Sequence, residues 1–205
     1  MRSTGPEWKT NLNRMLETLE NIKKLPVTDP GVYLHLGCGP QVLEGFINID
    51  KYQKHPDVLQ VDMANPPLPK NIAKGIYSSH ALEHLNYRTA VLALQNWNRL
   101  LQPEGKLYLA IPDLEEIMLI LLDKEVSWDA KWSWYVYTLF GYQVDPDKYA
   151  RSLELDLPDD PGQHHRCGFT KETIRRFLES AGFGVDIIYN YDGWGTPSIW
   201  VEAHK

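Results

Sequence analysis

The sequence predicts an α/β fold: a seven-stranded, mostly parallel sheet with helices on both faces and an aromatic-rich insertion after the fifth strand. Short apolar runs of strand composition alternate with longer segments of helical periodicity, which is typical of strand–helix–strand units. Turn signals rich in Gly, Pro, Asn and Asp separate these segments. Two strand-like runs close the chain, so a hairpin is expected to add one antiparallel strand.

The elements are predicted in the following order. A leading amphipathic helix is expected over 6–25, where apolar residues recur at helical spacing. Further helices are expected at 81–101, 114–122 and 170–181, the last with Thr170 as N-cap and Gly182 as C-cap. Strands are expected at 32–36, 46–49, 58–61, 75–78, 106–111, 184–190 and 197–203.

The chain has 205 residues and a net charge of -6, and its length fits one domain. The acidic balance argues against a nonspecific nucleic-acid or anionic-membrane surface. No apolar run approaches the roughly 18 residues of a membrane span, and two cysteines are too few for a disulfide framework, so a cytoplasmic protein is expected. The expected parts are a leading helix at 1–30, a first half at 31–111, an insertion at 112–163 and a closing segment at 164–205.

The most informative feature is a glycine turn that is followed by a second strand and a carboxylate. Gly37 and Gly39 follow the first predicted strand, and Asp50 ends the second. Glycines allow a tight turn with bare backbone against a ligand, and a carboxylate at this edge of a parallel sheet can accept both hydroxyl hydrogens of a ribose. The pattern therefore predicts a nucleoside-cofactor site.

Several segments, taken together, resemble class I S-adenosylmethionine-dependent methyltransferases. The nearest resemblance is to small bacterial methyltransferases found among surface-polysaccharide genes. It implies a Rossmann-like fold, S-adenosylmethionine as cofactor and S-adenosylhomocysteine as product. The matching segments are 36–40, 45–50, 61–62, 78–85, 100–107 and 164–183.

The residues themselves favour this cofactor over a dinucleotide. A dinucleotide fingerprint needs a third glycine and an acidic residue about 20 positions later. Here Pro40-Gln41 replaces that continuation, and Asp50 comes eleven residues after Gly39. The usual acidic residue before Gly37 is missing as well, since the chain has Leu34-His35-Leu36 there.

The resemblance also implies roles for individual residues. Asp50 would accept the ribose hydroxyls, Asp62 would accept from the adenine amino group, and Met63 would pack on the ring. Each has a plainer alternative: an ordinary turn, a surface loop or a helix cap. The implied cofactor-binding positions are Gly37, Cys38, Gly39, Asp50, Asp62, Met63, Ser78, Ser79 and His80.

Three histidines are candidates for a catalytic base: His80, His164 and His165. An imidazole can accept a proton at neutral pH, although packing or a solvated loop is a plain alternative for each. A divalent metal is possible but is not favoured, because His80 stands where similar metal-binding methyltransferases have a first Glu. Candidate metal ligands are His80, Glu83, His84 and His165.

Substrate identity is expected to reside in the insertion, over 123–162. Its aromatic rings and carboxylates suit a sugar, but they equally suit a packed lid or an oligomer contact. The expected reaction is O-methylation of a glycan or related small metabolite. The alternatives are metal-assisted methylation of an RNA or quinone hydroxyl, and a catalytically silent cofactor-binding subunit. Asp113 could orient an acceptor hydroxyl, but a cap on helix 114–122 is favoured.

Overall fold

A computed structural model of the chain describes residues 31–131, 137–141, 164–193 and 196–205. The predicted leading helix at 6–25 and most of the aromatic insertion lie outside the described residues. The described part contains one seven-stranded sheet in the order β3-β2-β1-β4-β5-β7-β6. Its strands are β1 Val32–Leu36, β2 Phe46–Ile49, β3 Val58–Leu59, β4 Ala73–Ser79, β5 Leu101–Pro112, β6 Gly184–Gly193 and β7 Thr196–His204.

The predicted α/β class and the single antiparallel strand are confirmed. Strands β1 to β5 pair in parallel. Strand β7 runs antiparallel to both β5 and β6 and therefore forms the closing hairpin with β6. Because five strands are parallel, the segments after β1, β2, β4 and β5 meet at one edge of the sheet. The helical segments are a 3₁₀ turn at Leu82–His84, α1 Tyr87–Leu100, α2 Leu114–Leu122, α3 Trp128–Ala130, α4 Tyr137–Phe140 and α5 Lys171–Ser180.

The predicted continuous helix over 81–101 is wrong in its first turn. The chain instead forms the 3₁₀ turn Leu82–His84, becomes extended at Leu85 and restarts as a helix at Tyr87. Asn86 caps the new helix by accepting a hydrogen bond from the Thr89 amide, which satisfies an otherwise unpaired amide at the helix start. Positions 80, 83 and 84 therefore do not share the face of a regular α-helix.

Residues 102–105, which separate the predicted helix 81–101 from the predicted strand 106–111 and have the composition of a turn, lie inside strand β5. Ala73 pairs with Leu101 and Gly75 pairs with Lys106, so the two strands fall out of register over this stretch. Glu104 has a positive φ of 62°, a conformation that is unusual for a residue with a side chain. The turn residues thus form an irregularity within the strand, and β5 is longer than the apolar pattern indicates.

The core lies between the sheet and the helices that follow it. Helix α1 buries one apolar face, as its periodicity predicts, and Trp97 on that face is fully buried. Helix α5 buries Ile174 and Leu178 and begins at the predicted cap Thr170, whose hydroxyl accepts from the Thr173 amide. Asp113 caps α2 by accepting from the amides of Glu115 and Glu116, so the capping role that the sequence favours for this carboxylate is confirmed.

Candidate functional site

The glycine turn after β1 has the backbone conformation that its sequence predicts. Gly37 and Gly39 have φ values of +68° and +50°, which side-chain-bearing residues rarely adopt. The amides of Gly37 and Cys38 both donate to the Ile49 carbonyl, at 2.8 and 3.1 Å. These bonds fasten the turn to the end of β2.

The two glycines differ in the space around them. A Cβ at Gly37 would lie 2.4 Å from the Ala81 Cβ and 2.6 Å from the Met63 Sδ. A Cβ at Gly39 would meet nothing within 4 Å. Gly37 therefore allows close packing of three segments, whereas the backbone at Gly39 faces open space at the carboxyl edge of the sheet.

Asp50 connects the glycine turn to the loop after β2. Its Oδ2 accepts from the Gly39 amide at 3.0 Å, and its Oδ1 accepts from the amides of Tyr52 and Gln53 at 2.7 and 2.9 Å. The side chain thus lies at the predicted edge. Since a carboxylate has about four acceptor positions, three amide bonds leave capacity for a ligand hydroxyl.

Asp62 and Met63 lie on the neighbouring loop, after β3. Asp62 Oδ1 accepts from the Ala64 amide at 2.9 Å, and its Oδ2 lies 3.5 Å from the Lys51 ammonium. The buried Trp97 indole donates to the Met63 carbonyl at 2.8 Å and so fixes this loop on helix α1. Both residues are partly or fully accessible at the surface of the loop.

The residues after β4 differ in how far they are available to a ligand. Ser78 is fully buried, and its hydroxyl donates to the Leu36 carbonyl at 2.9 Å. That hydroxyl therefore holds β4 against β1. His80 has a positive φ of 49°, and its amide donates to the Ala110 carbonyl at 2.9 Å. Its half-buried ring lies at the same edge as the glycine turn, as does the half-buried Ser79.

Cys38 has a thiol that remains protonated. It is buried, and burial together with the Asp50 carboxylate raises the pKa of the Cys38 thiol to about 12. Because the thiolate is the nucleophilic form, this cysteine is not poised for nucleophilic chemistry. Its contribution to a ligand site would come from its backbone and shape.

Beside the glycine turn, four ionisable side chains converge on the 3₁₀ turn. Glu83 is 2% exposed, and its Oε1 lies 3.5 Å from His80 Nδ1 and 3.9 Å from His165 Nε2. Ligand atoms of Glu83, His84 and His165 all lie within 4.8 Å of one another. The described residues therefore bring together three of the four sequence-predicted metal candidates, with His80 next to them.

The charge states in this cluster follow from burial and mutual attraction. Burial raises the pKa of the Glu83 carboxyl, but the surrounding histidines, His80 foremost, outweigh it and lower that pKa. Burial lowers the pKa of His165, against the opposing pull of the Glu83 carboxylate. The cluster thus favours an ionised Glu83 beside a neutral His165.

Two of the histidines are oriented by backbone carbonyls. His84 Nδ1 lies 3.2 Å from the His164 carbonyl oxygen, and His165 Nδ1 lies 2.7 Å from the Thr138 carbonyl oxygen. A carbonyl oxygen only accepts, so each Nδ1 carries the hydrogen, and each neutral ring keeps its free electron pair on Nε2. His164 thus contributes its main chain to the site.

A cleft opens next to Glu83 and His165. Helix α2 and the segments around α4 and 165–169 form its walls, so the insertion side of the fold borders the histidine cluster. The residues that line it are Glu83, Pro112, Leu114, Ile117, Thr138, Leu139, His165, Cys167, Gly168 and Phe169.

Some polar contacts were not anticipated from the sequence. His35 is 1% exposed, and its Nδ1 lies 3.1 Å from the Asn48 Oδ1 across β1 and β2. Ser198 Oγ lies 3.4 Å from His80 Nε2, although the two residues are 118 positions apart. The only sequence signal for the first pair is a polar residue inside each apolar strand, and no local signal points to the second.

Comparison with known proteins matches part of the chain to a protein family. A family model described as a methyltransferase domain matches residues 34–109, which contain the glycine turn, Asp50 and the histidine-bearing turn. Residues 34–109 therefore match the methyltransferase-domain family. The resemblance to methyltransferases that was inferred from the sequence is confirmed over this stretch. The kinship with polysaccharide-gene enzymes stays a prediction. The sequence matches no curated protein.

Solved structures show that the methyltransferase fold extends over nearly the whole chain. One similar structure is an S-adenosylmethionine-dependent methyltransferase from Mesorhizobium loti, with 14% identity, a TM-score of 0.51 and coverage of 94% of this chain and 98% of that one. Another is the Burkholderia thailandensis 1,6-didemethyltoxoflavin-N1-methyltransferase with bound S-adenosylhomocysteine, with 12% identity, a TM-score of 0.54 and coverage of 100% and 92%. A third is the magnesium protoporphyrin IX methyltransferase from Synechocystis PCC 6803 with bound S-adenosylhomocysteine. It has 14% identity, a TM-score of 0.51 and coverage of 96% of this chain and 82% of that one.

The part of the chain described above contains no membrane-spanning helix. Its longest described helix, α1, has 14 residues, and no described helix is long and apolar enough to cross a membrane.

Proposed function

We propose that this methyltransferase transfers a methyl group from S-adenosylmethionine to an oxygen of a glycan or related small metabolite, with His80 as the general base. The observation that carries the proposal is the position of the His80 ring between the buried Glu83 carboxylate, at 3.5 Å, and the Ser198 hydroxyl, at 3.4 Å. A carboxylate on one side of an imidazole orients the ring and stabilises its protonated form, which leaves the other nitrogen to receive a proton.

The cofactor would lie along the carboxyl edge of β1, β2 and β4. Open space over Gly39 supports a ligand against that backbone, and the spare acceptor capacity of Asp50 supports a bond to the ribose hydroxyls. Asp62 and Met63 would hold the adenine, since both lie on the loop that is fixed by Trp97. The floor of the site would be completed by the backbone of Gly37, Cys38, Ser78 and Ser79. At Ser78 only the backbone is available, because its hydroxyl already donates to the Leu36 carbonyl.

The proposed step is an in-line displacement at the sulfonium. The acceptor O–H bond breaks as the oxygen forms a bond to the methyl carbon, the carbon–sulfur bond breaks with its electron pair going to sulfur, and the proton goes to His80. The products are the methyl ether, S-adenosylhomocysteine and a protonated imidazole. Holding the acceptor in line supplies much of the rate, and the base removes the proton that a neutral alcohol would otherwise retain.

His164 and His165 are the other candidate bases. The His165 side chain is 12% exposed and its Nδ1 is bonded to the Thr138 carbonyl, which supports a role in holding the cleft wall. The His164 carbonyl accepts from His84, which supports a backbone role. We therefore assign the proton transfer to His80 and positioning to the other two.

A sugar-like acceptor is supported by the aromatic character of the insertion. Its described members include Trp128, 70% exposed, and Phe140, 51% exposed, and large exposed rings suit the apolar face of a sugar. A net charge of -6 weighs against RNA as acceptor, because RNA binding requires clustered basic residues. A cytoplasmic location and an oligomer contact through the insertion belong to the same proposal.

The test combines calorimetry with an acceptor screen. The parent protein is expected to bind S-adenosylmethionine and S-adenosylhomocysteine and to methylate hydroxyl-bearing glycans or small metabolites from a panel that also contains RNA, quinols and amines. His80→Ala is expected to lower kcat by about a hundredfold or more while cofactor affinity is nearly kept. His55→Ala, at an exposed loop, is the control. Equal kcat in His80→Ala and the parent would refute the role of His80 as general base. Methylation of RNA or amines alone would refute a glycan or small-metabolite hydroxyl as the acceptor.

A further inference from the structure

The Glu83 carboxylate is a buried group whose nearest described polar neighbours are two imidazoles. Glu83 is 2% exposed, and neither of its oxygens accepts a hydrogen bond from any residue in the described ranges. His80 Nδ1 and His165 Nε2 are near it, at 3.5 and 3.9 Å. Because an ionised carboxylate is costly to bury without compensation, the site calls for a positive charge close to these oxygens.

The neighbouring imidazoles have ligand atoms close to the Glu83 carboxylate. His84 and His165 each donate Nδ1–H to a backbone carbonyl, so the Nε2 of each neutral ring is an acceptor. The Nε2 of His165 lies 3.9 Å from the Glu83 Oε1, so an ion between these two atoms would be bound from both sides. A histidine that donates its second ring nitrogen to a backbone carbonyl is the usual arrangement of a metal-bound histidine.

The distances and atom types define which cation fits. The ligand atoms of Glu83, His84 and His165 lie within 4.8 Å of one another. In a tetrahedral site with metal–ligand bonds of about 2.0–2.1 Å, the ligand atoms lie roughly 3.4 Å from one another. Side-chain rotations that bring the three ligand atoms closer together by up to about 1.5 Å would therefore give this geometry. Two imidazoles and one carboxylate suit Zn²⁺ and related transition ions, whereas Mg²⁺ and Ca²⁺ prefer oxygen ligands.

We propose that Glu83, His84 and His165 bind one divalent transition-metal ion of the Zn²⁺ class, through the Glu83 carboxylate and the Nε2 atoms of the two histidines. Three protein ligands leave a fourth position open for water or for an acceptor oxygen in the adjoining cleft. The ion ties the 3₁₀ turn to the segment that begins at His164. This reverses the preference for packing that the sequence alone supports, and it does not depend on the proposed acceptor.

The test uses the full chain, first freed of metal by a strong chelator. Calorimetric titration with Zn²⁺ is expected to give one site per chain in the parent. Titration with Co²⁺ is expected to give visible absorption bands of a four-coordinate ion. His84→Ala, His165→Ala and Glu83→Gln are each expected to weaken Zn²⁺ binding by at least a factor of ten to a hundred, since even the loss of an outer-sphere partner has that effect.

The controls separate ligation from folding. His55→Ala, which removes an exposed histidine, is expected to bind Zn²⁺ like the parent. Added Zn²⁺ is expected to raise the Tm of the parent and of His55→Ala, but not the Tm of the three ligand variants. Glu83→Gln preserves the shape of the side chain, so its far-UV circular dichroism checks that the fold is intact. Absence of one-to-one binding by the parent, or equal affinity in the parent and all three ligand variants, overturns the proposal.

The outcome is independent of methyl transfer. S-adenosylhomocysteine binding by the metal-free parent, together with no Zn²⁺ binding, would refute the metal site and leave the proposed function standing. Zn²⁺ binding without any binding of S-adenosylmethionine or S-adenosylhomocysteine would refute the proposed function and leave the metal site standing.

Discussion

The Asp50 carboxylate accepts a hydrogen bond from the Gly39 amide at 3.0 Å, which joins the end of β2 to the glycine turn after β1. The other oxygen of the same carboxylate accepts from two amides of its own loop. One side chain therefore shapes both walls of the expected cofactor site. Substitutions at Asp50 and in the glycine turn are therefore expected to change cofactor affinity and the free energy of unfolding.

Asp50→Ala is expected to weaken S-adenosylhomocysteine binding by about ten- to a hundredfold. The substitution removes a charged acceptor for a ribose hydroxyl, which is worth roughly 1.5–3 kcal/mol, and also releases the Gly39 amide. Calorimetry on the parent and the variant measures the change. Glu44→Ala, an exposed carboxylate on the neighbouring loop, is expected to bind normally. Unchanged affinity in Asp50→Ala would contradict the ribose role.

Gly37→Ala is expected to destabilise the protein far more than Gly39→Ala. Both positions have positive φ, so each substitution costs about 1–2 kcal/mol of backbone strain. Only at Gly37 would the new methyl group also lie 2.4 Å from the Ala81 Cβ and 2.6 Å from the Met63 Sδ, which adds about 1–3 kcal/mol of overpacking. Urea unfolding measures both free energies. Equal losses at the two positions would show that the packing of Gly37 is looser than described.

His35 is expected to make the free energy of unfolding fall as the pH is lowered below about 6.5. Burial lowers the pKa of His35 in the folded protein, against the opposing effects of Asn48 and Asp50. Below the unfolded pKa of about 6.5 the unfolded chain binds a proton that the folded chain does not, and this costs up to about 1.4 kcal/mol per pH unit until the folded pKa is reached.

The measurement compares the parent with His35→Gln between pH 7.5 and 5.5. The variant cannot take up a proton at this position, so its free energy of unfolding is expected to fall less steeply than that of the parent. All other histidines are common to both proteins and cancel in the difference. Parallel pH profiles would mean that His35 has the same pKa in the folded and unfolded states.

Asp113→Ala is expected to lower the free energy of unfolding by about 2–4 kcal/mol. The fully buried Asp113 caps helix α2 through Oδ1, and its Oδ2 accepts from the Asn190 side chain at 2.6 Å. Loss of the cap costs about 1 kcal/mol, and loss of the hydrogen bond between the buried Asp113 carboxylate and the exposed Asn190 side chain adds about 1–3 kcal/mol. Glu115→Ala, an exposed neighbour in the same helix, is expected to change the value by less than about 0.5 kcal/mol. A similarly small effect at Asp113 would argue against its structural role.

The sequence by itself determined the features whose causes are local along the chain. Gly37 and Gly39 allow the positive φ values of the turn after β1, and the cap at Asp113 satisfies amides two and three residues away. Alternating strand and helix patterns lead to a parallel sheet. For the same reason Asp50 could be placed at the carboxyl edge of β2 from the length of the apolar run before it.

Only the tertiary structure decided how the histidines are arranged. The predicted helix over 81–101 is broken, since a 3₁₀ turn at Leu82–His84 and an extended Leu85 precede a new helix that Asn86 caps. His84 meets the carbonyl of His164 across 80 positions, and no local pattern encodes such a contact. The ring tautomers follow from those carbonyls. The convergence of Glu83 with two imidazole nitrogens is thus a product of packing, since it depends on where the segment after the insertion lies against the sheet.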